Sequence, residues 1–253
     1  MLGKLIRDLG PLALLALPVL LLLRSRDAKA GGGPAACKPW ESTGQAAGLQ
    51  WREVLTGGAQ PGDRLPMLVL LHGRGGNPEK ILADLGALRA RARVIVPRGP
   101  VPMGKQAAWW SLRSTTENQA QLGSDMAARA EQLGKFLAAL VACKPTTRVV
   151  VAGHSQGAMA ALMLAAMEPQ QVDFVVASAG WIPAAFWTSE MPPVQLVHGA
   201  QDQIVPVDRT RAMAEAWEDA GVSVGLNEVP GGHALEGELA EAFRSTVDAA
   251  TVV

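Results

Sequence analysis

Val149-Val150-Val151-Ala152-Gly153-His154-Ser155-Gln156-Gly157 is the stretch whose reading decides the fold. A short apolar, β-branched run ends in G-x-S-x-G, and an alanine-rich helical pattern, Ala158 to Met167, follows at once. Strand, sharp turn and helix in that order form the context in which such a serine serves as a nucleophile. The flanking glycines leave room for a strained turn that lifts the Ser155 hydroxyl out of the fold. The helix that follows aims its N-terminal N–H groups and positive dipole end at any oxyanion formed there.

The alternation extends outward from this element. Leu49 to Leu55 alternates apolar and polar residues, as a half-buried strand does. Gly57 to Pro66 reads as a turn-rich connection. Met67 to Leu71 is a continuous apolar run of strand length, the pattern of a strand covered on both faces. Pro78 to Arg91 reads as a helix, Val94 to Val96 as a strand, and Gly123 to Cys143 as a long helix. Past Ser155, Phe174–Ala177, Val194–Val197 and Val222–Val229 read as strands, with helices over Val207–Ala220 and Gly237–Ala249. Strands alternating with helices imply right-handed crossovers and a mostly parallel central sheet with helices on both faces, a three-layer α/β sandwich. There is no internal repeat and no second apolar core, so residues 49–253 read as one catalytic domain behind a linker at 31–48.

The chain has 253 residues, 49% hydrophobic and 18% charged, enough to bury a substantial core. Its formal net charge is zero and no basic cluster interleaves with aromatics, so nucleic-acid binding lacks electrostatic support. At the N-terminus, Lys4 and Arg7 precede a charge-free run from Leu9 to Leu23. As a helix, that run of about 15 residues spans roughly 22 Å, short of the ~30 Å hydrocarbon core. It suits a signal-peptide h-region, with Ala28-Lys29-Ala30 as an A-x-A cleavage site. Arg24 and Arg26 just after the run keep a second reading open, an uncleaved membrane anchor over residues 1–30. Either way the chain is expected to be exported, to the periplasm or beyond, or anchored. The two cysteines, Cys37 and Cys143, read equally as one disulfide or as two unrelated thiols. Neither C-x-x-C spacing nor a histidine cluster supports a metal site, and no motif calls for a cofactor. Oligomeric state is not readable.

In a mostly parallel sheet, ligands sit beyond the carboxyl ends of the strands. After Met67–Leu71 come His72-Gly73-Arg74-Gly75-Gly76; after Val194–Val197 come His198-Gly199-Ala200-Gln201-Asp202; after Val222–Val229 come Pro230-Gly231-Gly232-His233. Ser155, Asp202 and His233 then follow the chain order Ser…Asp…His. A serine hydroxyl needs a base to take its proton as it attacks, and His233, on a Gly-Gly loop past the last strand, is the candidate. Asp202 would fix the imidazole tautomer and stabilise the imidazolium. Asp208 competes with it but falls in the first turn of the next helix. The backbone N–H groups of Arg74 and Gln156 are the candidate oxyanion donors. His72, His154 and His198, beside glycines at strand ends, read as structural hydrogen-bonders. The Gly73–Gly76 cluster lacks G-K-[ST] and G-x-G-x-x-G spacing, so it does not read as a phosphate loop.

From about Met67 to the C-terminal helix, the chain resembles the phospholipase/carboxylesterase family of serine hydrolases, within the α/β-hydrolase group that includes dienelactone-hydrolase-like proteins. The resemblance rests on His72-Gly73-Arg74-Gly75-Gly76, Pro97-Arg98-Gly99-Pro100, Ala108-Trp109-Trp110, Gly153-His154-Ser155-Gln156-Gly157, His198-Gly199 with Asp202 and Val205-Pro206, and Gly232-His233. It implies an α/β-hydrolase fold and cofactor-independent hydrolysis of carboxylic esters, or thioesters in some relatives, through an acyl-enzyme. Arg74 stands where many relatives carry a small or apolar residue, and Asn77 where many carry an acid. An Arg74 side chain at the pocket would favour anionic substrates; a solvated arginine would offer only its backbone N–H.

Arg98 to Gln121 reads as a long loop with Trp109 and Trp110 at its centre, and loops at strand ends form substrate pockets. Trp109, Trp110 and Trp181 are therefore the expected pocket residues. No large cap domain is inserted, which favours small-molecule esters of short or medium acyl length. Peptidase, thioesterase and polyester depolymerase readings keep the same three residues, and a non-catalytic hydrolase-fold binding protein is the alternative outside enzymes.

Overall fold

The computed structural model describes residues 38, 40–113 and 117–252, which belong to one compact unit. The signal or anchor segment and Cys37 lie outside the described residues. In chain order the strands and helices are β1 (Thr43–Ala46), β2 (Leu49–Leu55), β3 (Leu65–Leu71), α1 (Pro78–Leu85), β4 (Arg93–Pro97), β5 (Val101–Met103), β6 (Gln106–Ala108) and α2 (Gln119–Cys143). They continue with β7 (Thr146–His154), α3 (Gln156–Met167), β8 (Phe174–Ser178), β9 (Val194–Gly199), α4 (Val207–Asp219), β10 (Val224–Val229) and α5 (Gly237–Val252). Eight strands form one sheet in the order β1-β2-β4-β3-β7-β8-β9-β10. β1 and β2 join antiparallel at one edge, and every pairing from β4 to β10 is parallel.

The apolar runs pack as strands covered on both faces. Met67, Val69 and Leu71 of β3, with Val149 and Val151 of β7, join a core beneath α2, α3 and α4. Leu68, Leu70, Val150 and Ala152 point the other way, into a core with Ile81 and Leu85 of α1 and Leu239, Phe243 and Val247 of α5. α3 is buried on every side from Gln156 to Ala165, which explains a helix with no polar face.

Several boundaries differ from the sequence reading. α1 stops at Leu85 instead of Arg91 because Gly86 takes φ 73° and returns its N–H to the Leu82 carbonyl. The next residues run irregularly, with Asp248 of α5 accepting the N–H groups of Arg89 and Ala90. α2 begins four residues before Gly123, where the Asn118 side chain caps it by accepting the Gln121 N–H. The long loop from Arg98 contains a small hairpin, β5–β6, bridged to the loop after β3 through Gly76 and Ala107. Cys143, which ends α2, is disulfide-bonded. Among the described residues no helix is long and apolar enough to cross a membrane, and no cluster of ligands for a metal ion occurs.

A buried charge cluster ties β2 to β4 and to the end of α2. Glu53 Oε2 accepts from Arg93 Nη1 at 2.6 Å and lies 3.1 Å from Lys144 Nζ, with all three side chains at most 3% exposed. Arg93 also donates to the Pro61 carbonyl at 2.9 Å. Removing the carboxylate would leave two buried cations uncompensated, which typically costs about 3–5 kcal/mol. Glu53→Ala is therefore expected to lose about that much stability in urea denaturation, and a loss under about 1 kcal/mol would refute this account.

Candidate active site

The parallel strands align their carboxyl ends. Leu71, Gly153, Ala177, Leu196 and Leu226 pair in one row across β3, β7, β8, β9 and β10. Residues just past that row emerge at a single edge, which carries Ser155, Asp202 and His233.

Ser155 stands between β7 and α3 with φ 55° and ψ −122°. A residue with a side chain enters that region at a cost of about 1–3 kcal/mol. Neighbours hold it there. Its N–H donates to the Ser178 carbonyl at 2.8 Å, and its own carbonyl accepts the Met159 N–H at 3.0 Å. Gly153 and Gly157 are glycines because a methyl on Gly157 would run into the Leu71 carbonyl, and one on Gly153 would run into the Gly157 backbone.

The Ser155 hydroxyl donates to Nε2 of His233 at 2.8 Å, and Nδ1–H of His233 donates to Oδ2 of Asp202 at 2.7 Å. The other carboxylate oxygen, Oδ1, accepts the N–H groups of Ile204 and Val205, each at 2.8 Å. Burial alone would raise the Asp202 pKa. Hydrogen bonds from His198, His233 and the Val205 amide outweigh burial and hold the carboxyl well below the usual carboxylate range. Asp202 is therefore an anion at neutral pH. Asp208, its competitor in the sequence, is on α4 and pairs with Arg211 at 2.6 Å.

Ser155, His154 and His233 border a cavity of about 320 Å³. The loop from His72 to Gly76 lines one side, joined by Lys80, Ile81 and Asp84 of α1 and by Ala234 to Glu236. Arg74 is exposed on that wall, and Lys80 is paired with Asp84 at 2.8 Å. No acceptor takes the backbone N–H of Arg74 or of Gln156 among the described residues. The part played by α1 had no signal in the sequence, because it depends on how that helix packs across β3.

The three tryptophans expected to line the pocket do not border this cavity. Trp109, Trp110 and Trp181 are 0%, 3% and 7% exposed and belong to the core beneath α2 and α3. Their work is bracing. Trp109 Nε1–H donates to the His72 carbonyl at 2.7 Å, and its ring stacks on the His72 imidazole with centroids 5.3 Å apart. The Gln156 side chain accepts the Trp109 backbone N–H at 2.8 Å and donates to the Trp110 carbonyl at 2.9 Å. Arg209 of α4 lies over the Trp181 ring at 4.4 Å. The side chain of Gln156, read from sequence only for its amide, thus also anchors the tryptophan loop. A glutamine directly after Ser155 was the available hint.

The remaining histidines are placed as structural groups. His72 uses both nitrogens: Nδ1–H donates to the Gly73 carbonyl at 2.8 Å, and Nε2 accepts the Gly99 N–H at 3.0 Å. Burial lowers its pKa. Nδ1 of His154 lies 3.2 Å from the Ser178 hydroxyl, and its ring is 5.1 Å from that of His233. Burial, reinforced by the nearby His233, pushes the pKa of His154 down to about 3.

The α/β-hydrolase fold and a serine elbow at the strand ends define the class of the protein. The chain belongs to the Phospholipase/Carboxylesterase family, whose model matches residues 59–249, and it is a serine ester hydrolase. Among solved structures it is similar to esterase PE8, with 24% identity over 79% of this chain and 97% of the other and a TM-score of 0.67. The carboxylesterase of Bacillus cereus shares 21% identity over 80% of this chain and 94% of its own, with a TM-score of 0.66. Acyl-protein thioesterase 2 of Zea mays shares 21% identity over 79% and 97%, with a TM-score of 0.61. At these identities the likeness is one of fold. No curated protein sequence matches the chain.

The depressed His154 pKa has a consequence for stability. The unfolded chain binds a proton near the ordinary histidine value of about 6.5, and the folded one only near 3. The contribution is therefore complete above about pH 6.5 and is lost as pH falls, by up to about 1.4 kcal/mol per unit. His154→Gln should flatten the decline in unfolding free energy between pH 6.5 and 5. Equal slopes for the two proteins in urea titrations would contradict this.

Proposed function

We propose that the protein hydrolyses carboxylic esters of short or medium acyl length through an acyl-enzyme on Ser155. The observation that carries the reading is the continuous chain Ser155–His233–Asp202, with contacts of 2.8 and 2.7 Å, opening on a cavity. Nε2 of His233 takes the hydroxyl proton as Oγ bonds to the carbonyl carbon, and the carbonyl electron pair moves onto oxygen. The free amides of Arg74 and Gln156, at the mouth of β3 and the start of α3, are the donors for that oxyanion. The tetrahedral adduct collapses, expelling the alcohol with the proton from His233. Water, giving its proton to the same nitrogen, then releases the acid and restores Ser155. Asp202, anionic and fixed by two amides, keeps the proton of His233 on Nδ1 and stabilises the imidazolium.

A cavity of about 320 Å³ is at the small end of the range for ligand pockets, roughly 300–1,000 Å³, and suits a small ester. We also propose that residues 1–30 direct export, by a cleaved signal or as an anchor. The apolar run after Lys4 and Arg7 supports this, and a disulfide-bonded Cys143 suits an oxidising compartment.

A fluorophosphonate should label Ser155 and no other residue. Ser155→Ala should lower kcat on a p-nitrophenyl short-chain ester by something on the order of 10⁶-fold while the protein stays folded. Full activity in that variant would end the proposal. Mass spectrometry of the exported protein should find a new N-terminus near Gly31, whereas an intact Met1 would select the anchor.

A further inference from the structure

His198 is a buried imidazole that the mechanism above does not use. It lies in β9, fully shielded from solvent, and the sequence gives it only the look of a structural hydrogen-bonder at a strand end. Its Nε2 has two neighbours: the Val205 carbonyl at 2.9 Å and Oδ2 of Asp202 at 3.3 Å. Both are acceptors, since the Asp202 carboxyl is ionised, so Nε2 must carry the proton. Nδ1 is buried without a hydrogen-bond partner among the described residues. An imidazole so placed forfeits one polar atom to aim the other at the acid, whereas a leucine there would bury no polar atom at all.

From this geometry we infer that His198 is a positioning residue for the acid of the triad. The inference rests on the proposed roles of Ser155, His233 and Asp202. Oδ1 is pinned by the Ile204 and Val205 amides, and Oδ2 is shared between Nδ1–H of His233 and Nε2–H of His198. Three hydrogen bonds, with the longer approach of the His198 Nε2–H that also serves Val205, thus fix both the plane and the rotation of the carboxylate, so that one oxygen faces His233. The bond to Val205 ties the same nitrogen to the turn carrying those amides, so the strand, the turn and the acid move as one. Sharing Oδ2 also divides its charge. With the His198 donor gone, the whole of that lone-pair density falls on His233 and makes it the stronger base, and the carboxylate is freer to turn away.

The other titratable and charged groups facing this pair come from other parts of the fold. His154 packs against His233, and Lys80 acts on His154 from α1. Glu228 of β10, paired in register with His198, is tied to Arg211 at 2.5 Å, and Glu236 borders the cavity beside His233.

The test compares two polar replacements of similar size. In H198Q the side-chain amide nitrogen reaches the place of Nε2 and keeps a donor on Oδ2; in H198N the amide ends near the place of Nδ1 and cannot. The acidic limb of the kcat/KM profile should shift to higher pH by about half a unit or more in H198N, with kcat reduced several-fold and KM little changed. H198Q should stay close to wild type on both measures. A role confined to stability would lower the melting temperature of H198N and leave its acidic limb in place, and that result would overturn the inference. So would equal shifts in H198Q and H198N. Should either variant fail to fold, ¹⁵N NMR of the intact protein decides: His198 is expected as the Nε2–H tautomer, and an Nδ1–H tautomer refutes the contact to Asp202. The Ser155→Ala and fluorophosphonate results separate the two claims. If they fail, the triad itself is wrong; if they hold and H198N behaves as wild type, only the role of His198 is.

Discussion

Three backbone segments converge at the turn between β7 and α3, and the rest of the site is aligned by how closely they pass. The Leu71 carbonyl at the end of β3 leaves no room for a side chain at Gly157, and the first turn of α3 leaves none at Gly153. Between those two glycines Ser155 takes a positive φ, and the Ser178 carbonyl of β8 takes its amide in that pose. The strain is local, and it is sustained because neighbouring strands and a helix buried on every side over-determine the turn. The outcome is a hydroxyl projected past the sheet edge, at the N-terminus of a helix whose leading amide has no acceptor among the described residues.

Around that hydroxyl, environment sorts chemically identical groups into different jobs. His72 spends both nitrogens on backbone partners and holds the glycine loop beside the cavity. His154 is kept neutral by burial and by its neighbour. His233 alone connects the serine to the acid. Asp202 gains from the same logic in reverse: burial opposes its charge, and several converging N–H donors overcome that opposition. Away from the site the molecule uses charge differently. The buried Glu53, Arg93 and Lys144 link the antiparallel edge to the parallel sheet, where apolar residues would have sufficed for packing.

Tryptophan shows where reading by residue type failed. Trp109 and Trp110 are on a loop at the strand ends, the place from which pocket walls come. The loop folds into the β5–β6 hairpin, docks on Gly76, and turns both rings into the core, where the Gln156 side chain holds the backbone of Trp109 and Trp110 and His72 takes the Trp109 ring. Nothing in a loop's composition says which way its aromatic rings turn. β1 and the hairpin strands were missed for a related reason: they are three or four residues long and acquire their form from pairing, not from periodicity. The extent of α1 was overread because the apolar pattern continues past Gly86, while the chain reverses there on a positive φ.

What the sequence determined by itself is everything encoded over short range. Apolar runs covered on two faces and glycines demanded by close approach are local signals, and they suffice to order the strands and helices and to mark the edge where chemistry gathers. Tertiary structure decided what depends on meeting at a distance. Ser155 and His233 are 78 positions apart, and their 2.8 Å contact exists only because β7 and β10 end on the same side of one sheet. The same holds for the cavity wall supplied by α1, the inward turn of the tryptophans, and the second imidazole on Asp202. Those features are set by packing angles and side-chain direction, which no spacing along a single chain records.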